Sequence, residues 1–317
     1  MPRIAVIMPA YNRAAVIGRA IGSVLAQDLR DFELIVVDDG STDGTAGIVR
    51  SYRDPRLQLV EQWTNRGSNA ARNAGIRASS APLIAFLDSD DSYLPHKLST
   101  VAGEFDRNPK LDVLVDSFVK LCDVGRRVER VNPRIDCTEE FTRRLFSREL
   151  WKPTSAITVR REAAIRAGLF DEDVSRRQDM DFLIRLTQAA SCASIDEILW
   201  VKSWSADGIS AGNGFVASTL EIVRRHPQYM GNADYRCGLA KDLARHLLIL
   251  LRERRYAQMA ADGRLMVREF GAKGTSALVL EGTRELANRA RKRRLKRRPG
   301  APPERGAPAL AKARRSA

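Results

Sequence analysis

The stretch Leu83-Ile84-Ala85-Phe86-Leu87-Asp88-Ser89-Asp90-Asp91 passes from an apolar strand pattern straight into acid, with three carboxylates in its last four residues. Like charges at this spacing repel, and ionised carboxylates resist leaving water. A divalent cation relieves both problems, because Mg²⁺ or Mn²⁺ takes one or two carboxylates and completes its shell with water and phosphate oxygens. The other reading is a solvated turn whose Asp91 or Ser92 caps the helix that follows Pro95. The short motif alone does not choose between them.

The flanking sequence places this stretch in a layered fold. Ile4 to Met8 is a continuous apolar run, Phe32 to Val37 is apolar apart from Glu33 and rich in β-branched residues, and Leu57-Gln58-Leu59-Val60 makes a short strand. Between them, Val16, Ile17, Ala20, Ile21, Val24 and Leu25 recur at helical spacing, and Ser41-Thr42-Asp43 supplies N-cap chemistry for a helix reaching about Tyr52. Ser68 to Ala78 reads as a small-residue helix. Strand and helix alternating in this way predict an α/β layer with a mostly parallel sheet, buried on both faces. Ligands in such sheets bind beyond the carboxyl ends of the strands. Tyr11, Asp38, Asp39, Asn65 and the Asp88–Asp91 cluster all fall at those ends.

Past the acid cluster, Pro95 to Phe105 is predicted helical, Leu111 to Leu121 a strand and Arg126 to Val131 a β-ribbon. Ser155 to Val159 reads as a strand, Arg161 to Ala167 as a helix, and Gln178-Asp179-Met180-Asp181 opens another helix. A strand over Ile198 to Lys202 precedes a mobile loop from Trp204 to Gly214. From Phe215 the pattern turns helical, with Leu239, Leu243, Leu247, Leu250 and Leu251 on one face.

At 44% hydrophobic and 29% charged residues, the chain reads as an ordinary globular protein rather than a disordered or membrane one. Its longest aliphatic run, Leu247 to Leu251, is far too short for a bilayer span, and Pro9 interrupts the N-terminal apolar run too early for a signal peptide. Four scattered cysteines without a C-x-x-C pair argue against zinc or a disulfide framework and fit a reducing cytosol. Residues 284–317 hold thirteen Lys/Arg and two Glu, a balance of +11, which leaves only +3 of the total +14 for the first 283 residues. The basic character therefore belongs to the tail, not to the body.

Four motifs stand in order: Ala5-Val6-Ile7-Met8-Pro9-Ala10-Tyr11-Asn12-Arg13, Val36-Val37-Asp38-Asp39-Gly40-Ser41-Thr42-Asp43, Ala71-Arg72-Asn73-Ala74-Gly75 and Leu87-Asp88-Ser89-Asp90-Asp91. Together they resemble the family 2 glycosyltransferases, most closely the bacterial branch that builds cell-surface polysaccharides, over roughly residues 3–210. The resemblance implies a GT-A fold, in which a Rossmann-like, mostly parallel sheet flanked by helices binds a nucleotide-diphosphate sugar, here a UDP-sugar. It implies an acceptor that is a glycan or lipid-linked glycan. Pro9 and Tyr11 would lie at the base, with Tyr11 stacked on it, and Asp39 would accept the base ring N–H. Arg72 would reach the base or a phosphate. Asp90 would ligate Mn²⁺ or Mg²⁺, with Asp88 supporting it or holding the ribose, and Asp91 would be architectural. Asn65, Gly67 and Asn73 are expected to be loop and cap residues without substrate contact.

Arg177-Gln178-Asp179-Met180-Asp181 resembles the family's motif for the general base. Asp179 is the expected base, removing the acceptor hydroxyl proton in a single in-line displacement that inverts the anomeric carbon. Asp181, two residues on, would point elsewhere. No histidine stands in Lys202-Ser203-Trp204-Ser205-Ala206-Asp207-Gly208-Ile209-Ser210, where many relatives have one, so a third metal ligand from there is not expected. Trp204 or Trp151, Thr154 and Ser155 are candidates for the sugar and acceptor pocket. His96, His226 and His246 form no constellation.

The expected organisation is a glycosyltransferase domain over 1–212 (nucleotide half 1–100, acceptor half 101–212), a helical extension over 213–283, and a basic, disordered tail over 284–317. The expected location is cytoplasmic, with residues 289–298 able to contact an anionic membrane surface. The lack of G-x-G-x-x-G after the first strand excludes a dinucleotide dehydrogenase, and the lack of a Gly-rich basic loop excludes a sugar nucleotidyltransferase. A non-catalytic nucleotide- or glycan-binding relative anchored by its tail is the alternative from another class.

Overall fold

A computed structural model of the chain describes residues 1–122, 125–203 and 214–296. In order, the elements are β1 (Ile4–Ala10), α1 (Ile17–Leu25), β2 (Phe32–Asp38), α2 (Thr45–Ser51), β3 (Leu57–Glu61), α3 (Ser68–Ala78), β4 (Leu83–Phe86), β5 (Ser92–Tyr93), α4 (Lys97–Arg107), β6 (Val113–Leu121) and β7 (Arg127–Arg130). They continue as α5 (Thr138–Phe146), β8 (Ile157–Arg160), α6 (Arg161–Arg166), α7 (Gln178–Thr187), β9 (Cys192–Lys202), α8 (Phe215–Arg225), α9 (Gln228–Gly231), α10 (Ala233–Arg252) and α11 (Tyr256–Lys296).

The sheet runs β3-β2-β1-β4-β8-β6-β9-β5, with β7 paired to β6. Its first four strands are parallel, and β8 then pairs antiparallel with both β4 and β6. β1 sits between β2 and β4, so the connections leave it in opposite directions and a crevice opens beyond its carboxyl end. β1 and β4 are buried along their whole length, which explains their unbroken apolar runs. Small residues let α3 lie close against them. A side chain at Gly75 would collide with Ile7, and that close approach fixes where the helix carries Arg72 and Asn73.

An aromatic trio joins the two halves of the sheet. Phe170 stands edge-on to Phe86 at 5.2 Å and stacks on Phe182 at 4.2 Å. It therefore locks the end of β4 to α7. Beneath α4 and β6, Lys97 and Asp116 form an ion pair with no exposed surface.

Three expectations change. Ser41 and Thr42 do not cap α2: Ser41 Oγ accepts the Asn12 N–H at 2.9 Å, and the Thr42 N–H donates to Asn12 Oδ1 at 2.8 Å. Only Asp43 keeps the capping role, at Thr45 N, while also accepting the Ala14 N–H. The helix α5 had no forecast, and β9 begins at Cys192 rather than Ile198, because its first half is too short and polar to register as an apolar run. Finally, helical backbone continues to Lys296 with a kink at Gly271 (φ 69°), so position 284 is not a break into disorder. The loop expected over Trp204–Gly214, Trp204 included, lies outside the described residues apart from Gly214, as does the tail beyond Lys296.

Candidate active site

A cleft of about 730 Å³ opens at the carboxyl ends of β1 and β4, a size that suits a small-molecule substrate. Of the residues singled out from sequence, Pro9, Tyr11, Asp39, Asn65, Gly67, Arg72, Asp88, Asp90, Thr154 and Asp179 line it. They come from six separate parts of the chain, and the fold brings them to one cleft.

Tyr11 is 43% exposed at the rim. Its loop is held by the β2–α2 loop through Asn12, which adopts φ 52°, and through the Arg13 N–H donated to Thr45 Oγ1. Asp39 is buried, and its two carboxylate oxygens accept the Arg66 and Gly67 N–H groups at 2.8 Å each. Burial raises its carboxyl above the usual range and those two hydrogen bonds only partly offset it. Gly40 beside it has φ +74°, and a side chain there would meet the backbone of Thr64 and Asn65 within 3 Å. Asp38 is buried one residue earlier and does not line the cleft.

Arg72 differs from its expected free reach toward a base or phosphate. It is 3% exposed, pairs with Asp88 Oδ1 at 2.8 Å, donates to Ser68 Oγ and lies over the Phe170 ring. Burial works to raise the Asp88 carboxyl, but Arg72, Lys202 and Arg13 outweigh it and hold it below its usual value. Asp90 forms no ion pair among the described residues, and burial followed by the Asp88 charge raises its carboxyl against the opposing pull of Lys202 and Arg13. Two hard carboxylates facing a polar cleft, one of them destabilised by the other, are a donor set that fits Mg²⁺ or Mn²⁺. Among the described residues no group of three or more His, Cys, Asp or Glu could hold a metal, so the remaining positions would fall to water and phosphate oxygens.

Asp91 is architectural but not a helix cap, since α4 begins six residues later behind His96. It is fully buried, accepts from Ser155 Oγ at 2.8 Å and the Ser203 N–H at 3.0 Å, and so fastens the end of β9 beneath the acid cluster. Ser155 also accepts the Asp88 N–H and is likewise buried rather than facing the cleft.

Asp179 lies in the first turn of α7 and lines the same cleft as Asp88 and Asp90, with its side chain 24% exposed. Asp181 points into the core, bonded to Arg185 and His226, as its spacing predicted. Trp151 stands outside the cleft beneath the Arg130 guanidinium, at 4.3 Å. His246 stacks on Phe215 and bonds Asp262.

The sequence reading gave no role to five cations that line the cleft: Arg13, Lys152, Arg176, Arg177 and Lys202. Lys202 sits at the end of β9, 3.8 Å from Asp91. Burial lowers its ammonium, but Asp91, Asp88 and Asp90 outweigh that and the net shift is upward. The Lys152 ammonium is 3.7 Å from Asp179 Oδ2. Lys202 stands in the loop already marked for its missing histidine, so its position was a usable signal; Lys152 had none.

The model of Glycosyl transferase family 2 matches residues 5–173, more than half of the chain, and the chain belongs to that family. A validoxylamine A glucosyltransferase from Streptomyces hygroscopicus subsp. jinggangensis is 48% identical over 264 residues, covering 73% of this chain and 62% of that protein. An uncharacterised glycosyltransferase of Bacillus subtilis, EpsJ, is 32% identical over 212 residues, which is 63% of this chain; the chain spans 61% of its length. Among solved structures, Staphylococcus aureus TarS 1–349 in complex with UDP-GlcNAc superposes with a TM-score of 0.66 at 23% identity, over 93% of this chain and 88% of that one. The GT-A glycosyltransferase fold expected from the motifs is therefore the fold of this chain.

Proposed function

We propose that this chain is an inverting glycosyltransferase. It moves a sugar from a UDP-sugar to a hydroxyl of a glycan or lipid-linked acceptor in cell-surface polysaccharide synthesis, with Asp179 as the general base. The observation that carries this is the presence of Asp179 on the same cleft as Asp88 and Asp90, delivered from α7. The UDP-GlcNAc bound by TarS supports a UDP-sugar donor, and the glucosyltransferase relative supports a hexose.

Tyr11 presents its exposed ring to the base. Asp39 accepts the base N–H with the lone pairs that Arg66 and Gly67 leave over. Asp90 and Asp88 would hold Mg²⁺ or Mn²⁺, which when bound supplies Lewis-acid neutralisation of the leaving diphosphate. Arg72 keeps Asp88 ionised and in place. Lys202 and Arg13 add fixed positive charge on the same side. Asp179, steadied by the Met180 N–H at 2.8 Å, takes the acceptor proton as the hydroxyl attacks.

Asp179→Asn keeps the shape and removes the base, so sugar transfer should fall about 10²–10⁴-fold while UDP affinity is retained. Transfer that survives in this variant removes Asp179 from the mechanism. No transfer in the wild type with any UDP-sugar, beside tight UDP binding, would favour the non-catalytic alternative. No helix among the described residues is long and apolar enough to cross a membrane. The location proposed from the family resemblance is cytoplasmic, with peripheral contact through residues 289–298, and sedimentation with anionic but not neutral liposomes is the check.

A further inference from the structure

Among the described residues, the part of the cleft beside Asp179 gathers more cations than carboxylates. Lys152 is 13% exposed at its side chain and approaches Asp179 only to 3.7 Å. Arg177 lines the same wall in the left-handed region, φ 61°, a conformation that costs a non-glycine residue energy and clusters at functional sites. Its guanidinium lies over the Phe215 ring at 4.5 Å and donates to Ser218 Oγ at a long 3.4 Å. Behind them Arg148, 5% exposed, faces Asp242 at 3.7 Å. Among the described residues these three cations face two carboxylates, Asp179 and Asp242, the second of which Arg245 also approaches at 3.5 Å, and neither 3.7 Å pair is short enough for a strong charge-assisted hydrogen bond.

The physical consequence is visible in both lining cations. Burial pushes the Lys152 ammonium down, Asp179 opposes that, and Arg148 and Arg177 add to it. Burial and then Arg148 bring the Arg177 guanidinium down to about 10. A buried surplus of cation is expensive until an anion arrives. Arg72 and Lys202 are already engaged by the Asp88–Asp91 carboxylates, which leaves Lys152 and Arg177 as the less compensated cations of the cleft. The amino terminus of α7, at Gln178, adds its positive dipole end to the same wall.

We propose that Lys152 and Arg177 form an anion subsite for the acceptor, taking a carboxylate or phosphate group carried near the hydroxyl that is glycosylated. This rests on the reading of Asp179 as the base, since the bound anion would hold that hydroxyl beside it. The acceptor class is then an acidic glycan: a uronic acid or a sugar or polyol phosphate, rather than a neutral sugar.

The test uses the full chain saturated with UDP and Mg²⁺ at constant ionic strength, titrated calorimetrically with D-glucuronate and with glycerol 1-phosphate. Glucose and glycerol are the neutral controls. At least one anion should bind, and the tighter one names the acceptor group. Lys152→Gln and Arg177→Gln should each weaken it about tenfold or more, while Lys152→Arg restores most of the affinity. The UDP affinity of each variant reports whether the donor end is intact. Neutral compounds binding as well as the anions would overturn the subsite, and so would anion affinity unchanged in Lys152→Gln. If UDP itself does not bind the wild type, the donor reading fails separately, and the same anion titrations on the unliganded chain still judge the subsite.

Discussion

Asn73 touches no part of the cleft, yet its loss should disable it. The side chain is 2% exposed on α3 and makes three hydrogen bonds to the segment leading to α7. Nδ2 donates to the Phe170 carbonyl at 2.8 Å and to Glu172 at 3.1 Å, while Oδ1 accepts the Phe170 N–H at 2.9 Å. Asn73→Ala strands both backbone groups of Phe170, itself 2% exposed. Each unpaired buried group costs about 1–3 kcal/mol, so a loss of about 3 kcal/mol is expected once some water enters on the Glu172 side. In a chain of this size that lowers Tm by roughly 4–6 °C. Asn69 still holds the Asp171 and Val174 carbonyls, so the segment loosens without detaching. Asp179 then loses its fixed position, and a misplacement near 1 Å costs about 10²-fold in turnover. UDP affinity should stay close to that of the wild type, because Tyr11, Asp39 and Asp88 are held by other contacts. Thermal unfolding, UDP calorimetry and a transfer assay on the same preparation decide it. An unchanged Tm, or UDP affinity falling in step with turnover, would refute the reasoning.

Asp90→Asn should abolish the extra thermal stabilisation that Mn²⁺ or Mg²⁺ gives the UDP-bound chain; metal dependence that persists moves the cation elsewhere. Lys97→Met strands the fully buried Asp116 and should cost about 3–5 kcal/mol, whereas Lys97→Met with Asp116→Leu should recover most of it in a denaturant titration. Burial, opposed by Lys97, sets the Asp116 carboxyl at about 6. Without Lys97 it rises further, so the single variant's defect should be largest above that pH and shrink as acid protonates the carboxyl. Among the cysteines, exposed Cys137 should react with maleimide in the folded chain. Buried Cys192, whose thiol burial pushes up to about 12, should not, and equal labelling of both would contradict the packing.

The first hundred residues were legible because their signals are local. β1 and β4 are uninterrupted apolar runs and β2 is broken only by Glu33, and each is followed by the polar residues that a parallel sheet must present at its carboxyl edge. Beyond them β6, β7, β8 and α6 were legible from their patterns, and the start of α7 from the motif around Asp179. α5 and the first half of β9 went unseen because their apolar residues acquire meaning from partners far along the chain: Phe141 and Leu145 are core residues, and Cys192 pairs with Val113. Asp91 was read locally as a cap, whereas its partners Ser155 and Ser203 are 64 and 112 residues away. A short-range rule cannot find a bond of that span.

The charge of the cleft shows the same limit at a deeper level. Total charge pointed to the tail, correctly, since the first 283 residues sum to only +3. A near-neutral sum is nevertheless compatible with strong local fields when opposite charges separate across a fold. Here Asp88 and Asp90 line the same cleft as Lys152 and Arg177, with the lysine beside Asp179. Such an arrangement orients a substrate that is itself polarised. On the proposed reading, a diphosphate carrying a divalent cation would be held at the carboxylates and an acidic acceptor at Lys152 and Arg177, so that the two reactants would meet with their reacting atoms facing. Swapping the charges at Lys152 and Asp88 would keep the sum and destroy the orientation, which is why net charge could never have revealed the site.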